Sequence, residues 1–130
     1  MARLMGANHG SMGASLFGVS VSDDQRDPDR YTLYMGQSGL GLGDRQMYLD
    51  EKFAPQRERY VAYIAELLQL AGWDDPQGNA QKIMAMETQI AEAHWTPVEN
   101  RNRDRTYNEF TIAKLAEDAP GFAWQAYYDA

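Results

Sequence analysis

Three kinds of side chain stand close enough in this sequence to do chemistry together: the carboxylate of Glu87, the imidazole of His94, and the guanidinium groups of Arg101, Arg103 and Arg105. Glu87 lies at helical spacing from Ile83, Ile90 and His94, on a stripe that is otherwise largely apolar. A carboxylate there costs free energy unless it is paired. The loop arginines are the expected partners, because a planar guanidinium answers a carboxylate with two parallel hydrogen bonds. Backbone amides at the helix–loop junction are the other donors in reach. Glu87 is therefore read as a structural ion pair tying loop to helix, and His94 as a packed or hydrogen-bonded side chain rather than a base.

Other chemistries find little support. Cysteine is absent, and neither His9 nor His94 has a serine nucleophile in a Gly-x-Ser-x-Gly setting. No His-Glu-x-x-His pair occurs, so the sequence predicts no metal site and no cofactor of its own. Gly36, Gly39, Gly41 and Gly43 lack the spacing and the following lysine of a phosphate loop and are read as an ordered loop pinned by Leu40 and Leu42.

The elements that must hold these residues can be read from periodicity. Residues 15–21 and 31–35 alternate in polarity, and the segment between them is rich in turn formers, with Pro28 suited to a first corner. The expectation is an N-terminal β-hairpin. From Asp50 the period becomes helical: Tyr60, Val61, Ile64, Leu67 and Leu68 form one stripe, with Asp50 as candidate cap, Pro55 in the first turn and Gly72 as the stop. A second helix over about 79–94 carries Ala80, Ile83, Glu87 and Ala91 on one face, and the short connection makes an antiparallel helical hairpin. Thr111 is expected to cap a helix over 112–117. Phe122, Trp124, Tyr127 and Tyr128 form a short aromatic helix that, with Tyr107 and Phe110, reads as core or interface. The fold class is mainly α with one small β-hairpin.

Composition narrows the partners. A formal charge of -7 argues against a sequence-independent nucleic-acid binder. No apolar run approaches the roughly 18 residues of a membrane span, and the glycine-rich start does not form a signal-peptide core. Residues 1–14 read as a flexible lead-in, and 15–130 as a single domain.

Three blocks carry a resemblance. They are Asp27-Pro-Asp-Arg30-Tyr31 running into Gly36-Gln37-Ser-Gly39-Leu40-Gly-Leu42-Gly-Asp44-Arg45-Gln-Met-Tyr48-Leu49; Met86-Glu87-Thr-Gln-Ile90-Ala91-Glu-Ala-His94-Trp95-Thr-Pro-Val-Glu99-Asn100-Arg101; and Thr106-Tyr107-Asn108 leading to Leu115. In this order they resemble the N-terminal helical domain of the neprilysin and endothelin-converting-enzyme family of zinc metallopeptidases, in its bacterial form. Gly43 stands where the family commonly has proline, and Met47 replaces one tyrosine of its signature.

The resemblance implies a periplasmic or extracellular parent, a two-lobed endopeptidase with its zinc and His-Glu-x-x-His motif in a catalytic domain elsewhere in the polypeptide. This chain would be a segment of the lobe that caps the active-site cavity and gates peptide substrates, inactive by itself. By motif Arg101 would bind a substrate's C-terminal carboxylate, with Arg103 as rival. The alternative reading is a self-standing helical interaction module whose binding face is the aromatic C-terminus.

Overall fold

The computed structural model describes residues 1–8 and 15–130. In chain order its elements are α1 (Ala2–Ala7), β1 (Phe17–Asp23), β2 (Tyr31–Gln37) and α2 (Arg45–Leu49), followed by a 3-10 turn (Glu51–Phe53) and α3 (Ala54–Leu70). After these come α4 (Pro76–Ala93), α5 (Pro97–Asn100), α6 (Arg103–Thr106), α7 (Ile112–Asp118) and α8 (Trp124–Tyr128). The mainly helical class with one N-terminal hairpin is as expected. Where the sequence reads one domain over 15–130, the chain forms two compact units, Met1–Gly39 with Asn102–Ala130, and Leu40–Arg101.

In the first unit β1 and β2 pair antiparallel in continuous register from Phe17 opposite Gln37 to Asp23 opposite Tyr31. Phe17, Val19 and Met35 share one face and pack, with Phe122 and Tyr128, around buried Ala2, Met5 and Tyr127. Phe17 stacks on Trp124 at 5.5 Å, and the indole Nε1 donates to the Ala119 carbonyl at 2.9 Å, so the ring is buried without stranding its polar end. The flexible lead-in over 1–14 is corrected in its first half. Residues 2–7 are helical because Ala2 and Met5 reach this aromatic core, and Gly6 lets α1 approach the Tyr127 carbonyl where any Cβ would collide. The rest of that reading, with His9, lies outside the described residues.

In the second unit α3 and α4 form the expected helical hairpin, closed by Ile64, Ala65 and fully buried Ala80 and flanked by Tyr60, Val61, Leu68 and Ile83. Gly72 takes a positive φ of 74° after α3, a conformation that suits glycine at a helix stop. Helix α4 starts earlier than predicted, because Pro76 fits the first helical turn and Asp75 caps it by accepting from the Gly78 amide at 3.1 Å. Asp50 makes no side-chain cap; its carboxylate lies 3.5 Å from Lys52. Helix α2 was not anticipated. It is short, and its signal is Asp44, whose carboxylate accepts from the Gln46 amide at 2.8 Å.

Candidate functional site

Glu87 is 8% exposed and has a partner for each of its oxygens. Its Oε2 accepts from the Tyr48 hydroxyl at 2.5 Å and from the Gly41 amide at 3.3 Å, while Oε1 accepts from the Tyr60 hydroxyl at 3.1 Å. The Tyr48 oxygen in turn accepts from the Leu42 amide at 2.9 Å, so a chain of donors runs from loop backbone through phenol to carboxylate. The expected arginine ion pair is thus corrected: two tyrosines and a glycine amide hold Glu87. These donors win because α2 and α3 bring hydroxyls to the stripe without burying a second charge.

The same contacts explain Gly41, where any Cβ would overlap the Tyr60 hydroxyl. Burial, then the Glu87 carboxylate, pushes the Tyr60 phenol up to about 12. Burial and the hydrogen bond to Glu87 raise Tyr48 as well, so both phenols are donors at any physiological pH. Nearby arginines serve carbonyls instead. Arg57 Nη1 donates to Met47 O at 3.1 Å and Asp50 O at 2.8 Å, at the end of α2, and Arg45 Nε donates to Ala91 O at 3.2 Å. With three donors on its carboxylate, Glu87 is built as a clamp rather than as a base.

The first unit holds a second clamp, which the sequence reading treated as ordinary turn composition. Asp24 is 2% exposed; its Oδ1 accepts from the Arg26 amide and the Tyr107 hydroxyl, and its Oδ2 from Arg30 Nη2, each at 2.8 Å. Arg30 Nη2 also reaches Glu109 at 2.8 Å, and the Arg26 guanidinium lies over the Tyr107 ring at 4.2 Å. The Arg26 amide, then Arg30, holds the Asp24 carboxyl down at about 2. The local signal was Asp24 two residues before Arg26, the spacing at which an aspartate bonds a following amide. Nothing local announced Tyr107, 83 residues on.

The arginines singled out by the sequence are all exposed. Arg101 ends α5, whose Thr96–Glu99 capping box fixes the turn before it: the Thr96 amide donates to Glu99 Oε2 at 2.9 Å and the Glu99 amide to Thr96 Oγ1 at 3.2 Å. Arg103 lies in α6, which Asn102 caps by accepting from the Arg105 amide at 3.2 Å. Arg101 belongs to one unit and Arg103 to the other. His94 is half-buried at the C-terminal cap of α4.

The aromatic C-terminus faces inward, with Trp124 6% and Tyr127 3% exposed, which leaves the alternative reading without its binding face. Phe110, 50% exposed, stays out of that core. Among the described residues no three or more histidines or carboxylates converge on a possible metal position, and no helix is long and apolar enough to cross a membrane.

A helical scaffold clamped by buried carboxylates is the class of structure present, and comparison with known proteins gives its family. The profile for the N-terminal part of peptidase family M13 matches residues 1–130, and the chain belongs to that family. It is 32% identical over 116 residues to endothelin-converting enzyme-like 1 of Rattus norvegicus, covering 86% of this chain and 15% of that protein. Endothelin-converting enzyme 1 of Cavia porcellus is 30% identical over 115 residues, 83% of this chain and 15% of the relative. The fold also matches the inhibitor-bound crystal structure of the zinc metalloprotease Zmp1 of Mycobacterium tuberculosis, with a TM-score of 0.92 and 33% identity over 98% of this chain and 20% of that one. The chain therefore spans about a fifth or less of the relatives it matches.

Two outcomes follow from the clamps. Glu87→Ala removes the acceptor of the buried Tyr48 phenol and the half-buried Tyr60 phenol and should cost roughly 2–3 kcal/mol in urea unfolding, whereas Arg101→Ala should leave the midpoint unchanged. The reverse pattern would restore the ion-pair reading. For Asp24, a folded value near 2 against an ordinary 3.8 means that its contribution is present above pH 3.8 and lost as pH falls toward 2. Asp24→Asn should flatten the stability–pH curve in that window, and an unchanged slope would show that the network carries no pH-linked stability.

Proposed function

We propose that this chain is a non-catalytic segment of the helical lobe that caps the active-site cavity of a periplasmic or extracellular zinc metalloendopeptidase. Its partners in that reading are the remainder of the polypeptide, with the catalytic zinc domain, and the peptide substrates the lobe admits. The observation that carries the reading is the near-complete superposition on a zinc metalloprotease, of which this chain matches a fifth. The inward packing of the aromatic C-terminus supports a scaffold role over an interaction module.

Within the lobe, Arg101 is assigned to a substrate's C-terminal carboxylate, with Arg103 as the alternative. Support comes from its exposure, from its place after a turn locked by the Thr96–Glu99 box, and from the capacity of guanidinium for planar carboxylates. Glu99, the nearest acid in sequence, is committed to that box.

In the full-length parent, Arg101→Met should raise KM for peptides with a free C-terminal carboxylate by about tenfold to a hundredfold, the worth of a charge-assisted hydrogen bond. KM for the matching C-terminally amidated peptides should hold. Equal weakening of both classes would make Arg101 structural and pass the role to Arg103→Met for the same assay.

A further inference from the structure

In the first unit β2 has a strand partner on one side only. The bonds Asp24 N to Arg30 O and Ser38 N to Leu16 O bracket the hairpin, so the intervening ladder bonds fall on the pairs Ser22–Thr32, Ser20–Tyr34 and Gly18–Gly36. Tyr31, Leu33 and Met35 consequently turn their N–H and C=O groups to the other edge. Among the described residues no backbone hydrogen bond closes it.

A cavity of about 790 Å³ runs along that edge, lined by residues 31–35 on one side and 106–111 on the other. Consecutive strand residues line it, so it follows the edge of the strand rather than one face. Tyr31, Leu33 and Phe110 are 76%, 43% and 50% exposed beside it, and Leu115 and Tyr128 also line it. The end at Arg30 and Glu109 is acidic. Residues 23–30 with Glu109 hold five carboxylates against two arginines, and both arginines are engaged, Arg30 between Asp24 and Glu109 and Arg26 over Tyr107.

We propose that the β2 edge is a docking site for an extended polypeptide strand with apolar residues in alternation and a lysine or arginine at the end beside Glu109. Such a strand supplies the main-chain donors and acceptors that the edge lacks, places apolar side chains against Leu33 and Phe110, and answers the acidic end with a cation. The proposal is independent of the role assigned to Arg101, which lies in the other unit.

The test uses the 130-residue chain and a labelled peptide, acetyl-Lys-Val-Thr-Val-Thr-Val-amide, with binding read by fluorescence anisotropy and by protection of the Tyr31, Leu33 and Met35 amides from hydrogen exchange. Binding with protection of those amides is expected, together with weaker binding of the same peptide carrying Glu for Lys. Leu33→Pro deletes an outward N–H without touching the β1 ladder, and should weaken binding about three- to tenfold, the worth of one hydrogen bond. Glu109→Gln should erase the preference for Lys over Glu. No binding, binding without amide protection, or equal affinity for the Lys and Glu peptides on the unmodified chain would overturn the proposal. So would edge protection that appears with protein concentration alone, which would make a second copy the occupant.

Discussion

The second unit depends on a buried carboxylate that cannot be left unpaired. Glu87 sits in the middle of α4 on a face that packs against other elements, and its ionised form is tolerable there only if donors are fixed around it. The donors come from three other parts of the unit, Gly41 in the loop, Tyr48 on α2 and Tyr60 on α3. One charge thereby ties together four pieces of chain that hydrophobic contact alone would hold loosely. The glycine at 41 follows from the same constraint, since the Tyr60 hydroxyl occupies the space of a side chain.

The first unit solves a different problem with the same device. A two-stranded hairpin is marginal by itself. One face of this hairpin is closed by an aromatic core, and its turn is fixed by Asp24, which gathers a local amide, a local guanidinium and the distant Tyr107. In both units a carboxylate is satisfied largely by groups of low desolvation cost, phenols and amides. That is a cheaper arrangement than a fully buried ion pair.

How much of this could be read in the sequence depended on distance along the chain. The helical hairpin was legible because its stripes repeat every 3.6 residues, and the family was legible from three ordered blocks. Glu87 was legible as a residue that needed a partner. The partner was misread, because the arginines that follow it are neighbours in sequence whereas Tyr60 and Tyr48 lie 27 and 39 residues away. A phenol also carries no formal charge to draw attention to it. Helix α1 was hidden for a related reason. Its glycine, with two more shortly after it in the sequence, argues for a loop locally, and only packing against Tyr127 makes a short helix there stable. Asp24 was lost among turn formers, since its burial depends on a tyrosine from the far end of the unit.

The central claim, that the Glu87 carboxylate and the phenols around it act as one interaction, is tested most directly by a double-mutant cycle. Glu87→Gln, Tyr48→Phe and the double variant would be unfolded in urea, each at the same pH. A coupling of about 1–3 kcal/mol between the two sites is expected, as for contacting residues in one network. Costs that add within about 0.5 kcal/mol would contradict it and would leave Glu87 and Tyr48 as neighbours that contribute separately.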